Sequence, residues 1–261
     1  LTSRSILAIG LALLAAATLA AGSASAAEVK VMISGGFSAA YRELLPEFER
    51  STHNSVTTAA GPSMGDTPQA IPNRLARGEP ADVLIMVSGA LDDLIKLGKV
   101  VSDSRIDLAR SKIGMVVRAG EPKPDISSVE AFRRALLEAK SIVYSDSASG
   151  VYLSTVLFER LGIAEQLRSK SRMIPAEPVA AVVARGEAQI GFQQISELLP
   201  VPGVQLVGPL PPEIQKITVF SAGIAAGARE PDAARALLRF LSSPAAAPAI
   251  TKSGLEPVTA R

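Results

Sequence analysis

Two hydrophobic periods alternate along the chain. Residues 29–33 form a short β-type run, and residues 39–50 follow at helical spacing, with Leu44, Leu45 and Phe48 on one face. Residues 55–60 are β-prone, 61–66 are loop, and Thr67 with Pro68 suits an N-cap and first helical position for a helix that Gly78 ends. Residues 81–87 are apolar apart from Asp82, as in a strand covered on both faces. A helix over 91–97, a strand over 113–117, a connector over 121–125 and a helix over 129–139 come next. The remainder predicts strands at 141–144, 190–192 and 217–224, and helices at 151–161, 179–185, 232–241 and 244–252.

Strands alternating with helices, several apolar throughout, predict an α/β fold with a mostly parallel sheet. Ligands on such sheets bind beyond the carboxyl ends of the strands. Two of the turns at those ends are rich in small hydroxyl residues, Ser34-Gly35-Gly36-Phe37-Ser38 and Ser145-Asp146-Ser147-Ala148-Ser149, and the loop at 61–67 makes a third. The first poses a question, because no buried contact evident in the sequence calls for two glycines. They serve either a tight turn or an anion cradle in which backbone N–H groups at a helix start meet negative charge.

The opening residues read as an export signal: Arg4, an apolar run over 6–20, and an A-x-A site at Ala24-Ser25-Ala26. The reading assigns 1–26 to a signal peptide, with the mature chain in the periplasm. Formal charge is +2 for the whole chain and +1 once Arg4 is removed, with no basic block. Nucleic acid is therefore not expected as a partner, nor is membrane insertion after cleavage. With no cysteine and a single histidine, His53, a thiolate site, a histidine triad and a multi-histidine metal centre are excluded, so no metal and no cofactor are expected.

Four stretches carry a family resemblance: "ISGGFSAAY", "LARGEPADVLIM" (75–86), "YSDSASGVYLSTVLFERLGI" (144–163) and "AEPVAAVVARGEAQIGF" (176–192). Over essentially all the mature length the chain resembles periplasmic substrate-binding proteins of the molybdate-binding type. The resemblance implies a two-lobed type II periplasmic binding fold, with lobe 1 over 27–115 and 218–261 and lobe 2 over 116–217. It also implies hinge strands near 113–118 and 217–224 and an anionic ligand in the cleft. It carries ligand contacts onto Gly36 (flanked by Ser34 and Ser38), Ser63 within the loop at 61–67, Ser149, Val179 and Gln193. Gly36 and Gln193 stand where that family has serine and tyrosine, which implies a larger and differently polar pocket than a tetrahedral oxyanion needs. With its glycine-opened first turn, the loop "GPSMGD" (61–66) and the multi-serine turn before Gly150, the chain is similar to the secreted aconitate isomerases, whose activity would be an allylic proton shift in a tricarboxylate. A binding protein serving an ABC permease is the alternative.

Such a reaction needs a base, a proton return and donors for the developing charge. Ser34, Asp66 and Tyr152 are the catalytic candidates; Ser34, Gly36, Ser38, Ser63, Ser149, Val179 and Gln193 are the binding candidates. Each serine also suits a turn or cap, Asp66 an N-cap, and Tyr152 simple packing.

Overall fold

The computed structural model describes residues 26–175 and 177–258. Most of the proposed signal segment lies outside them. The elements are β1 (Glu28–Ile33), α1 (Gly35–Thr52), β2 (Ser55–Ala60), α2 (Ile71–Ala76), β3 (Val83–Val87), α3 (Ser88–Lys96), β4 (Ile106–Ser111) and β5 (Ile113–Arg118). They continue with α4 (Val129–Glu138), β6 (Ile142–Ser145), α5 (Ala148–Tyr152), a π-helical turn (Leu153–Leu157), α6 (Phe158–Arg160), α7 (Ala164–Leu167), β7 (Ser171–Ile174), α8 (Val179–Ala184) and β8 (Ile190–Gln194). The last are α9 (Ile195–Leu198), β9 (Val204–Pro209), β10 (Thr218–Ile224), α10 (Pro231–Leu241), α11 (Ala247–Lys252) and β11 (Glu256–Pro257).

These strands make two sheets, ordered β11-β4-β10-β3-β1-β2 and β7-β6-β8-β5-β9. The expected two-sheet α/β architecture is present, but the sheets are mixed rather than mostly parallel. The pairs β1–β2, β1–β3, β6–β7 and β6–β8 are parallel, while β10 and β5 each run antiparallel to both neighbours. The cause is chain routing. The chain passes from β4 to β5 through Lys112 alone and returns to β10 after β9, so each sheet gains strands without a helical crossover. The segments read as hinges, 113–118 and 217–224, contribute strands that each pair within one sheet only. β4, β7 and β9 were not anticipated, because polar residues within them and the prolines around β9 hide the alternation.

Apolar clusters cover both faces of each sheet. Val31, Ile33, Phe37, Phe48 and Leu237 pack on one side of the first sheet, Met32, Leu84, Met86 and Leu91 on the other. Phe132, Leu153 and Phe192 flank one side of the second, Val143, Val179 and Val183 the other. Asp82, within the most family-like stretch, serves the framework. Its carboxylate accepts from the N–H groups of Lys30 (2.7 Å), Arg229 (2.6 Å) and Glu230 (3.1 Å). A buried carboxylate is tolerable when its lone pairs are filled in this way.

Candidate functional site

A cleft of about 460 Å3 opens between the two sheets, at strand ends where helices begin. The first sheet contributes the start of α1, residues 60–63, Gln69, Val87 and Phe220. The second contributes residues 146–148, Glu177, Pro178, Gln193, Gln194, Ser196, Glu197, Pro200 and Val201. Its position follows the rule for open α/β sheets.

α1 begins at Gly35, four residues earlier than its apolar periodicity suggests, so the glycine pair is the helix's own first turn. Both glycines have close neighbours, buried Phe220 for Gly36 and half-buried Glu197 for Gly35, which corrects the expectation that nothing required them. A Cβ at Gly36 would lie 2.0 Å from Cζ of Phe220, and one at Gly35 would lie 2.1 Å from Oε1 of Glu197. No acidic residue lies in this first turn, and Ser34 occupies the N-cap without a capping bond from its side chain. Its Oγ is buried and has no hydrogen-bond partner, while its N–H donates to the Ile85 carbonyl at 2.9 Å. A helix of 18 residues thus brings its positive end to the cleft with an unused hydroxyl beside it.

Glu197 faces that end from the other sheet, on α9. Burial pushes its carboxyl up from 4.5 to about 7; a hydrogen bond with Gln193 opposes the shift, and the nearby Asp146 charge adds to it. The Oε1 of Gln193 accepts from the Val179 N–H at 3.1 Å, which fixes the amide and leaves its NH2 for Glu197. Alongside, the Ser196 Oγ donates to the Gly36 carbonyl at 2.7 Å, a buried bond between the two sheets' elements. α9 is therefore tied to the start of α1, and the carboxyl of Glu197 is held rather than swinging. A carboxyl titrating near neutrality in a cleft is suited to giving and taking protons.

The structure brings together Ser34, Gly36, Ser38, Ser63 and Gln193 on the cleft wall. Two of their hydroxyls are engaged: Ser38 Oγ donates to the Ser34 carbonyl (3.1 Å), and Ser63 Oγ accepts from the Val87 N–H (2.9 Å). The other candidates stand apart from the cleft. Ser149 is fully buried, its hydroxyl shared with Ser145 at 3.0 Å. The Val179 N–H is occupied by Gln193. Asp66 is exposed on its loop. Tyr152 packs in the second sheet's core, donating to the Ile214 carbonyl at 2.9 Å under the ammonium of Lys216. Sequence reasoning missed Glu197, Ser196 and Arg42. A signal existed for the first two, since Gln193-Gln194-Ile195-Ser196-Glu197 is a polar run at the end of an apolar strand. Arg42 shares a helix face with Gly35, Ser38 and Ala39.

Two mixed α/β sheets with an anion-suited cleft between them define a solute-binding protein. The chain belongs to the bacterial extracellular solute-binding protein family, whose sequence model matches residues 29–256. It is 54% identical, over 98% of its length and 97% of the relative's, to a protein of Pseudomonas sp named aconitate isomerase. It is 27% identical to the molybdate-binding protein ModA of Azotobacter vinelandii, over 97% of this chain and 96% of that one. A solved periplasmic molybdate-binding protein of Azotobacter vinelandii superposes with a TM-score of 0.70 at 20% identity, covering 89% of this chain and all of that one. Among the described residues no helix is long and apolar enough to cross a membrane, and no group of three His, Cys, Asp or Glu could hold a metal ion.

Proposed function

We propose that the protein is an aconitate isomerase, moving a proton within a propene tricarboxylate so that the cis and trans isomers interconvert. The observation that carries this reading is the 54% identity to a protein of that name over nearly the whole of both chains. The cleft supplies chemistry to match. Ionised Glu197 takes a proton from the substrate's methylene, and the electron pair spreads through the allylic carbons onto the adjoining carboxylate. The unused Ser34 hydroxyl and the N–H groups at the start of α1 stabilise that charge. Glu197 then returns the proton to the carbon that was vinylic, and the double bond shifts by one position. Geometry about the new double bond is set by how the former methylene arm lies when its proton leaves. The cycle ends with Glu197 ionised again, so protons and electrons balance without a co-reactant.

Ser38, Ser63 and Gln193 complete the binding wall, with Gln193 also positioning Glu197. The protein works in the periplasm, cleaved behind Ala26, on a small anionic ligand held between lobes that close by hinge motion. The test is to give purified mature protein cis-aconitate, or the trans isomer, and follow the other isomer by proton NMR. Approach to one equilibrium mixture from both sides is expected. Tight binding without conversion would instead favour the second reading, a carrier for an ABC permease, which family membership alone would suggest.

A further inference from the structure

The cleft wall carries three acidic side chains, Asp146, Glu177 and Glu197, and a single basic one, Arg42. That imbalance is a difficulty for a site receiving three carboxylates. Glu177 is already offset by Arg185, 2.6 Å away. Arg42 is exposed and forms no ion pair among the described residues, although Glu43 beside it pairs with Lys252 at 3.0 Å. Its cation is therefore uncommitted and faces the void.

α1 thus offers negative charge two positive poles along one face, its N-terminus at Gly35 and Gly36 and the guanidinium of Arg42. On that face Arg42 lies seven positions after Gly35, ~10.5 Å of axis at the rise of an α-helix. Helical side chains lean toward the N-terminus, which brings the guanidinium nearer the first pole. An oxyanion with its charge on one centre can engage one pole at a time. A three-carbon chain with carboxylates at both ends can engage both, and a guanidinium fork suits a carboxylate geometrically.

We infer that Arg42 is the specificity-determining residue of the cleft, gripping a terminal carboxylate and so selecting extended polycarboxylates over compact oxyanions. The inference rests on the isomerase reading for its substrate class but is tested separately from it. Calorimetry would compare tricarballylate, a saturated tricarboxylate without an allylic proton, with molybdate, on wild-type protein and on Arg42→Ala and Arg42→Lys. Arg42→Ala should weaken tricarballylate binding at least tenfold, as expected for losing a charged hydrogen bond. Arg42→Lys should recover part of that loss, and any molybdate affinity should change less than threefold. In turnover of trans-aconitate, Arg42→Ala should raise KM at least tenfold with kcat within threefold.

Unchanged tricarballylate affinity in Arg42→Ala, or an equal loss for molybdate, overturns the inference, as does wild-type protein that fails to bind tricarballylate. Tricarballylate binding that needs Arg42, in a protein that does not isomerise aconitate, would sink the enzymatic reading and leave the inference standing. Isomerisation untouched in KM by Arg42→Ala would do the reverse. The side chain is exposed, so folding does not confuse the result.

Discussion

The turns after β1 and after β6 are spelled alike, small hydroxyl residues followed by a helix, yet their hydroxyls go to different places. After β1, the Ser34 hydroxyl has no partner, and the turn's backbone is held from outside by Phe220, Ser196 and Glu197. After β6, the Ser145 hydroxyl bonds both Ser147 (3.1 Å) and Ser149 (3.0 Å), and the turn satisfies itself. The helices differ as well. α1 runs 18 residues, whereas α5 runs five before a π-helical turn interrupts it. A hydroxyl satisfied within its own turn costs more to redirect to a ligand than one left open, because an existing bond must first break. The first turn is thus prepared for charge, and the second is not.

The largest effect expected from this asymmetry belongs to Glu197. Glu197→Gln keeps shape and the contact with Gly35 but removes the proton acceptor, so kcat should fall by ~10²- to 10⁴-fold. Wild-type activity should rise with pH through about 7, since only the ionised form is a base. Stability runs the other way. The folded-state value lies above the ordinary 4.5, so the folded protein holds the proton more tightly than the unfolded chain. The resulting stabilisation is full below about pH 4.5 and lost as pH rises through about 7. Glu197→Gln, resembling the protonated form, should match wild type at low pH and exceed it above pH 7. The gain should be about 1 to 3 kcal/mol after allowing for screening in the open cleft. Parallel thermal melts at pH 5 and pH 8 read it; an equal gap at both would mean that Glu197 titrates normally.

Much of this was legible beforehand and some was not, for physical reasons. The apolar runs at β1 and β3 announce themselves because both faces are buried. β4, with the sequence Ile-Asp-Leu-Ala-Arg-Ser, does not, because it lies between β10 and the two-residue β11 with polar groups paired along it. Gly36 stood out as a ligand contact by family likeness, but its partner Phe220 lies 184 positions away, and local pattern carries no trace of that contact. Glu197 was missed because a glutamate on a short helix ordinarily points to water. The tie between Ser196 and Gly36 and the hydrogen bond with Gln193 turn it inward.

The next effect in size concerns that glycine. Gly36→Val would drive a side chain into the Phe220 ring, and overpacking of this kind costs ~1 to 3 kcal/mol. For a chain of this length the melting temperature should fall by about 2 to 4 °C per kcal/mol. Adding Phe220→Leu should restore part of the loss, as coupled neighbours do. If Gly36→Val melts normally and loses only ligand affinity, the residue is a cradle and nothing more. If it melts lower and the double variant recovers, packing is the reason for the second glycine.

The smallest effect tests the comparison most directly, because the same change is made on both walls. Ser34→Ala removes a buried hydroxyl that has no hydrogen-bond partner within the protein. Its loss should leave the melting temperature unchanged or slightly raised, since an unpaired polar group leaves the interior. Substrate should nonetheless bind about tenfold more weakly, or kcat fall by a similar factor, because the donor is used when charge arrives. Ser149→Ala removes a hydroxyl already committed to Ser145, so stability should fall by about 0.5 to 1.5 kcal/mol while substrate affinity changes less than twofold. The two variants should therefore sort oppositely, one by calorimetry with tricarballylate and the other by melting. If Ser149→Ala weakens binding as much as Ser34→Ala does, the second turn must rearrange onto the ligand, trading its internal bonds for a carboxylate, and the two walls act alike after all.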